Sequence, residues 1–349
     1  MIRVLVADDS AFVRMALRQI LERTEQIVVV AELADATALV AATLELAPDV
    51  VLLDAVMPGA ELATHELGRA ALCPVIGIGA GTPEDAKAAI RLLQRGAADL
   101  VTRDSVLVAL DVATLDRELV AKVEYWAQHG AIRAVGSRPS SLPPPMSANR
   151  AEPPRADLVV VGASTGGPRV LLELLRSAGP IGCPMVIAQH MPAYFTAGLA
   201  EHLARETGLS VVEGSPGLEL TPGLVVVAPG GRDSAIGEAR GALVLRVTQP
   251  TEVLVHPSVD VLFLSAARHS RRPLAAVLTG MGDDGMAGAH RFAERKLPVL
   301  VQEPESCAVD GMPCSVIDAG LATEVLGISR LGKRVAEWAG GIEAKPPGP

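Results

Sequence analysis

Gly162-Ala163-Ser164-Thr165-Gly166 sets a serine between glycines, directly after the aliphatic run Leu158–Val161 and before a stretch with helical spacing. A sharp strand-to-helix turn of this kind presents a hydroxyl for attack, and the glycines avoid steric clash. The helix that follows would aim backbone donors and its dipole at a developing oxyanion. A Gly-rich phosphate-binding turn or a plain tight turn would read the same way. His190, in Gln189-His190-Met191-Pro192, follows a second aliphatic run and is the candidate general base. His256, ahead of Pro257-Ser258-Val259-Asp260, is its main competitor; His65, His129, His202, His269 and His290 fall at surface or helix positions. Gly280-Met281-Gly282-Asp283-Asp284-Gly285 offers two carboxylates in a tight loop. One of them could orient an imidazole and stabilise its cation. An Asx-type turn is the structural alternative, and a divalent-metal site is another, although no third ligand is obvious nearby.

A second set of polar residues lies near the N-terminus. Asp8-Asp9 closes the run Ile2–Ala7, and Asp54 closes Val50–Leu53 just before Met57-Pro58-Gly59. Three carboxylates at neighbouring strand ends make an acidic pocket suited to Mg²⁺, which favours oxygen ligands. A cation there would let a carboxylate approach a phosphoryl donor despite the like charge. The simpler reading is a capping Asp pair plus an unrelated turn Asp.

The elements that must position these groups alternate along the chain. Over the first ~125 residues, strands at Ile2–Ala7, Ile27–Ala31, Val50–Leu53, Pro74–Ile78 and Ala98–Val101 are separated by helical patterns, a β-α unit repeated five times. That order predicts a doubly wound parallel sheet with right-handed crossovers. Ser10 can cap the first helix, whose apolar face is Val13, Leu17, Ile20 and Leu21. Residues 1–127 thus form one α/β domain. Six prolines between Pro139 and Pro154, among Ser, Ala, Asn and Arg, mark residues 128–155 as a semi-stiff linker. Alternation resumes at Leu158, giving a second α/β domain over 156–340 and a short tail at 341–349. Here Pro184–Gln189, Leu209–Val212, Leu224–Ala228, Leu243–Val247, Leu274–Leu278 and Val299–Gln302 read as further strands of an open, mainly parallel sheet with helices on both faces. In such sheets ligands bind outside the carboxyl ends of the strands. Ser164, His190 and the Asp283-Asp284 pair therefore converge although they are far apart in sequence.

Composition narrows the function. The chain has 349 residues, too many for one ordinary core. Aromatics are only 2%, so the cores are packed with Val, Leu, Ile and Ala, as in sheets buried on both faces. The net charge of −9 comes without a Lys/Arg block and argues against nucleic-acid binding. Cys73, Cys183, Cys307 and Cys314 form no C-x-x-C pair, so they read as small buried hydrophobes in a reducing compartment. Neither a signal-peptide pattern nor a membrane-length apolar run is present, and a cytoplasmic location without membrane insertion is expected.

The chain order Ser, His, Asp differs from the Ser, Asp, His of α/β-hydrolases and implies a separate fold with the same chemistry. At this point several motifs occur in one order: Gly162–Pro168, Gln189–Pro192, Ala228-Pro229-Gly230-Gly231, Pro257–Asp260, Gly280–Gly285 and Gly311-Met312-Pro313. Together they resemble the catalytic domain of chemotaxis protein-glutamate methylesterases, the CheB family, over about 157–327. The resemblance implies Ser164 as nucleophile, His190 as base and Asp284 as triad acid, with Asp283 at a variable position. It further implies that the Met281 N–H serves the oxyanion and that Thr165 positions the base or the substrate. The implied reaction is hydrolysis of glutamyl methyl esters on chemoreceptors, with possible deamidation of glutamines, through an acyl-serine and with no cofactor. The first domain resembles response-regulator receivers. That implies Asp54 as phosphoacceptor, a Mg²⁺ site from Asp8, Asp9, Asp54 and the Val56 carbonyl, a histidine kinase as donor, and a monomer. Two departures touch the switch. Gly79-Ala80-Gly81 stands where receivers carry Ser or Thr, with Thr82 the nearby hydroxyl, and Arg103 stands where they carry Lys. Two further readings remain: a receiver-linked adaptor with a silent hydrolase fold, and a nucleotide-binding enzyme, whose G-x-G-x-x-G spacing is missing.

Overall fold

The computed structural model describes residues 1–70, 72–79, 82–102, 115–129, 155–249 and 255–340. They fall into two compact units, Met1–Gly136 and Ser137–Pro349. Most of the expected linker, the expected tail, Ala80, Gly81 and Arg103 lie outside the described residues.

The first unit is a five-stranded parallel sheet in the order β2-β1-β3-β4-β5. Its strands are β1 (Ile2–Ala7), β2 (Ile27–Leu33), β3 (Val50–Asp54), β4 (Val75–Gly79) and β5 (Asp99–Thr102). The helices are α1 (Ala11–Glu22), α2 (Leu39–Leu46), α3 (Ala60–Arg69), α4 (Pro83–Gln94) and α5 (Leu115–His129). The helical stretch between β2 and β3 is split, opening with a 3-10 turn at Ala36–Ala38 that Asp35 caps. Helix α1 starts where expected: the Val13 N–H donates to the Ser10 hydroxyl, and Val13, Leu17, Ile20 and Leu21 are buried. The β-α count required α3 without marking its bounds. Strand β3 is buried along its whole length, as a central parallel strand must be.

The second unit holds a seven-stranded sheet in the order β14-β13-β12-β6-β7-β9-β8, parallel at every pairing. Its strands are β6 (Leu158–Ala163), β7 (Met185–Gln189), β8 (Ser210–Glu213), β9 (Leu224–Val227), β12 (Pro273–Val277), β13 (Val299–Gln302) and β14 (Glu324–Leu326). The run 243–247 does not join this sheet. It lies in β11 (Ala242–Thr248), which pairs antiparallel with β10 (Asp233–Ala239) in a separate ribbon. The chain turns back at Gly241, so a hairpin satisfies both strands without reaching the sheet edge. Helices α6 (Gly167–Ala178), α7 (Phe195–Thr207), α8 (Val259–His269), α9 (Met286–Glu294), α10 (Gly311–Asp318) and α11 (Ile328–Ala339) complete the unit. Alternate sheet residues, including Leu158, Val160, Val186, Ala275, Val277 and Val299, pack with Leu262, Phe263 and Ala266 of α8 and Phe292 of α9 in one core. Successive connections from β6 run to one side through β7, and those through β12 to the other, so the β6–β12 boundary is the switch point where ligands bind. Among the described residues no helix is long and apolar enough to cross a membrane.

Candidate active site

Ser164 follows the last residue of β6, and β6 pairs with β7 so that Ala163 sits opposite Gln189. The next residues, Ser164 and His190, are therefore neighbours at the carboxyl edge. The His190 N–H donates to the Ala163 carbonyl at 2.9 Å, and the Ser164 N–H donates across the switch point to Thr279 beyond β12 at 2.9 Å. The loop after β12 comes closer still: a Cβ on Gly280 would stand 2.7 Å from the Ser164 Cβ and 2.2 Å from the Met312 sulfur. Glycine there is the condition for this loop to approach the serine.

That loop delivers Asp284. Its Oδ2 lies 2.8 Å from His190 Nε2, and both side chains are about nine-tenths buried. An ionised carboxylate can only accept, so in this pair Nε2 is the donating nitrogen of His190. Asp284 also rests on the N-terminus of α8, accepting the Val259 N–H at 2.7 Å, the Asp260 N–H at 2.9 Å and the Ser258 hydroxyl at 3.2 Å. Burial alone would raise its pKa. The bond and charge of His190, with the backbone donors, outweigh burial and hold the carboxyl below the ordinary value. Four donors on two oxygens leave little for a metal, so the divalent-metal reading of this loop finds no support. Asp283 is exposed, which fits its place at a variable position.

Two residues that the sequence reading passed over complete the frame. Gln189 is buried, and its Nε2 donates to the carbonyls of both Ser164 at 2.8 Å and His190 at 3.1 Å. One amide thus ties the two strand ends together. Its Oε1 lies where a Cβ on Gly167 would come within 1.9 Å, so the last glycine of the serine turn makes room for the tie. Asp260 returns the favour that α8 does to Asp284: its Oδ1 accepts the N–H groups of Gly285 at 3.0 Å and Gly288 at 2.7 Å, at the start of α9. Burial, and then the charges of Asp284 and Asp283, raise its pKa against the pull of those donors. The signal for both was a polar residue inside a motif on an otherwise apolar element.

Of the remaining expected residues, Thr165 is buried and its carbonyl accepts the Thr279 hydroxyl at 3.0 Å. Met281 is half-buried between Gly280, whose N–H and C=O both bond to the 309–312 segment, and Gly282. His256 is drawn elsewhere: its Nδ1 lies 2.9 Å from Oδ1 of the buried Asp233. Cys73 and Cys183 are buried, and burial pushes both thiols up to about 12. Cys307 and Cys314 are half-buried, not the buried hydrophobes expected, because they lie outside the strands, Cys307 in the turn after β13 and Cys314 on α10.

In the first unit, Ala7 pairs with Leu53, so Asp8, just past β1, stands beside Asp54, the last residue of β3. Carboxylate oxygens of Asp8, Asp9 and Asp54 all lie within 4.8 Å of one another. Asp8 and Asp54 are buried and Asp9 is exposed. The Ser10 N–H donates to Asp8 Oδ1, and Arg14 donates to the Asp8 and Asp9 carbonyls. The Val56 N–H donates to Asp54 Oδ1 at 3.3 Å. An all-oxygen set of this size fits Mg²⁺. The Thr82 hydroxyl is engaged as the cap of α4, bonded to Asp85 at 2.8 Å.

The sequence pattern of the CheB methylesterase family matches residues 159–335, and that of the response regulator receiver domain matches residues 4–114. A protein-glutamate methylesterase/protein-glutamine glutaminase of Myxococcus xanthus is 41% identical over 329 residues, covering 93% of this chain and 94% of its own. One of Desulfitobacterium hafniense is 32% identical, covering 96% and 97%. The CheB methylesterase catalytic domain of Thermotoga maritima, a solved structure, is 35% identical with a TM-score of 0.50; the match spans 52% of this chain and 98% of that one.

Proposed function

Because the chain belongs to the CheB methylesterase family, we propose that it hydrolyses glutamyl methyl esters, and deamidates glutamines, on chemoreceptors through Ser164, His190 and Asp284. The observation that carries this reading is the buried 2.8 Å bond between His190 Nε2 and Asp284 at the strand end beside Ser164. His190 Nδ1 takes the hydroxyl proton as Ser164 Oγ attacks the ester carbonyl carbon. Negative charge develops on the carbonyl oxygen, where the Met281 N–H and the start of α6 supply donors, and Thr165 fixes the approach. The C–O bond to methoxide breaks, and the proton on His190 leaves with it as methanol. Water, deprotonated by the same nitrogen, then attacks the acyl carbon; the C–O bond to Ser164 breaks, the proton on His190 returns to Ser164 Oγ, and a glutamate carboxyl group is left. A glutamine side chain follows the same course and releases ammonia. Asp284 stays ionised and stabilises the imidazolium.

The first unit regulates this reaction, with Asp54 as the phosphoryl acceptor and a histidine kinase as donor. Asp8, Asp9, Asp54 and the Val56 carbonyl would hold Mg²⁺, which would offset the charge of donor and acceptor. Phosphorylation would add charge at Asp54, beside a sheet that carries Gly79 where receivers usually place the switch hydroxyl.

Methanol released from methylated receptor fragments measures the activity. Ser164→Ala abolishes release while leaving the fold intact, and undiminished release by the folded variant sinks the assignment. Labelling of Ser164 by an active-site serine reagent separates the enzyme from a silent adaptor.

A further inference from the structure

The loop that carries His190 turns outward after Met191. The Met191 N–H donates to the His256 carbonyl at 3.2 Å, fixing the two segments side by side. Pro192, Ala193 and Tyr194 are exposed, and Phe195 is wholly buried at the start of α7. Between these anchors Tyr194 adopts φ +72°, in the left-handed region. A bulky residue is an outlier there, and the conformation costs free energy that something must offset. Burial does not offset it, because Tyr194 is 55% exposed, more than any other large apolar side chain among the described residues of the second unit.

The loop is held from both sides. The Phe195 N–H donates to the Pro192 carbonyl, and Gly230 packs against the carbonyls of Met191 and Pro192. The Gly230 N–H in turn donates to the buried Thr196 hydroxyl, which donates to Glu213. Val255, 37% exposed, immediately precedes His256 on the neighbouring segment. Two apolar side chains therefore stand out on the rim, four residues from His190 on one segment and bonded to it through Met191 on the other.

We infer that Tyr194, with Val255 beside it, is a specificity-determining lip that rests on the apolar surface of the polypeptide carrying the glutamyl ester. The inference rests on the esterase reading above. A glutamyl methyl ester alone is small, and Ser164 must tell one held on a protein from a free one. A rigid ring supplies contact area with little rotamer freedom to lose. Holding it in a fixed, strained loop before binding keeps that gain from being spent on ordering.

The test compares two esters on the full chain: a helical peptide bearing one glutamyl γ-methyl ester, and the same ester as a capped single amino acid. Wild type is expected to favour the peptide in kcat/KM. Tyr194→Gly, which also relieves the backbone, is expected to lower that preference about tenfold, through KM, with a thermal midpoint no lower than wild type. Tyr194→Phe is expected to keep the preference. An unchanged preference in Tyr194→Gly, or an equal loss on both esters together with a lower midpoint, overturns the lip. Methanol release that persists in Ser164→Ala overturns the esterase reading instead, and is scored separately.

Discussion

The two sets of aspartates in this chain solve opposite problems. In the second unit, Asp284 is surrounded by donors that the protein itself supplies: an imidazole, a serine hydroxyl and the first N–H groups of α8. In the first unit, Asp8, Asp9 and Asp54 are brought within 4.8 Å of each other, with like charges facing. The first arrangement is a finished electrostatic device, preorganised for charge that develops during a reaction. The second gathers carboxylates of like sign, an all-oxygen set that fits a divalent cation. A catalytic site must be ready before its substrate arrives; a signalling site is read by what it waits for.

The largest break in this contrast comes from Asp284, the acid of the proposed triad. Asp284→Asn keeps the shape but removes the charge and turns the wrong donor toward His190. A fall in kcat of about 10⁴-fold is expected in methanol release, with KM little changed. A loss below tenfold would mean that His190 does not depend on Asp284. In the first unit, Asp54→Asn is expected to abolish phosphoryl uptake from a small donor such as acetyl phosphate. Asp9→Asn should only raise the Mg²⁺ needed for half-maximal uptake, by at least about tenfold. If Asp9→Asn behaves like wild type, the exposed aspartate is no part of the cation site.

These effects concern residues that were visible in the sequence, and the reason is local. Ser164, His190, Asp8 and Asp54 each lie at or just past the end of an aliphatic run, so the run that marks the strand also marks its end, and Asp284 is marked by the glycines of the loop that follows β12. Elements without such a run were hidden. Strand β14 has three residues, and β10 carries Asp233, Gly237 and Glu238, poor strand formers that hold only because β11 pairs with them. Gln189 was quoted within its motif, but nothing in the sequence says that its amide spans the Ser164 and His190 carbonyls. Asp260 was likewise part of a motif, and its bonds to Gly285 and Gly288 join residues some 25 positions apart. Pairings across elements are set by packing, which no local pattern contains.

The Gln189 tie gives a sharper test of preorganisation. Gly167→Ala would push a methyl group to 1.9 Å from Oε1 and 2.8 Å from Cδ of a buried side chain. Overpacking of this kind costs about 1–3 kcal/mol. A drop of several degrees in the thermal midpoint is expected, together with a lower kcat as the amide releases one carbonyl or both. A variant as stable and as active as wild type would show that the tie is dispensable.

The smallest effect asks whether the esterase site also contains a like-charged pair, handled without a cation. Asp260 and Asp284 each sit on the other's helix start, and their titrations pull in opposite senses. Asp284 is held below 3.8, so its contribution to stability is present above the unfolded value and lost as pH falls through the folded one. Asp260 is raised above 3.8, so its contribution is present below the unfolded value and lost as pH rises through the folded one. In wild type the two slopes partly cancel on acidification. Asp260→Asn keeps an oxygen to accept the Gly285 and Gly288 N–H groups and removes the second charge, so stability at pH 7 should shift by less than about 1 kcal/mol. The loss of stability from pH 7 down to about pH 3 should instead grow, because the opposing Asp260 gain is removed and only the Asp284 slope remains. Trp338 fluorescence during denaturant unfolding, in a Trp126→Phe background, reports on the second unit alone. A flatter pH dependence in the variant would show that the helix starts do not hold the two carboxylates apart in this way, and the esterase site would then resemble the acidic pocket more than it differs from it.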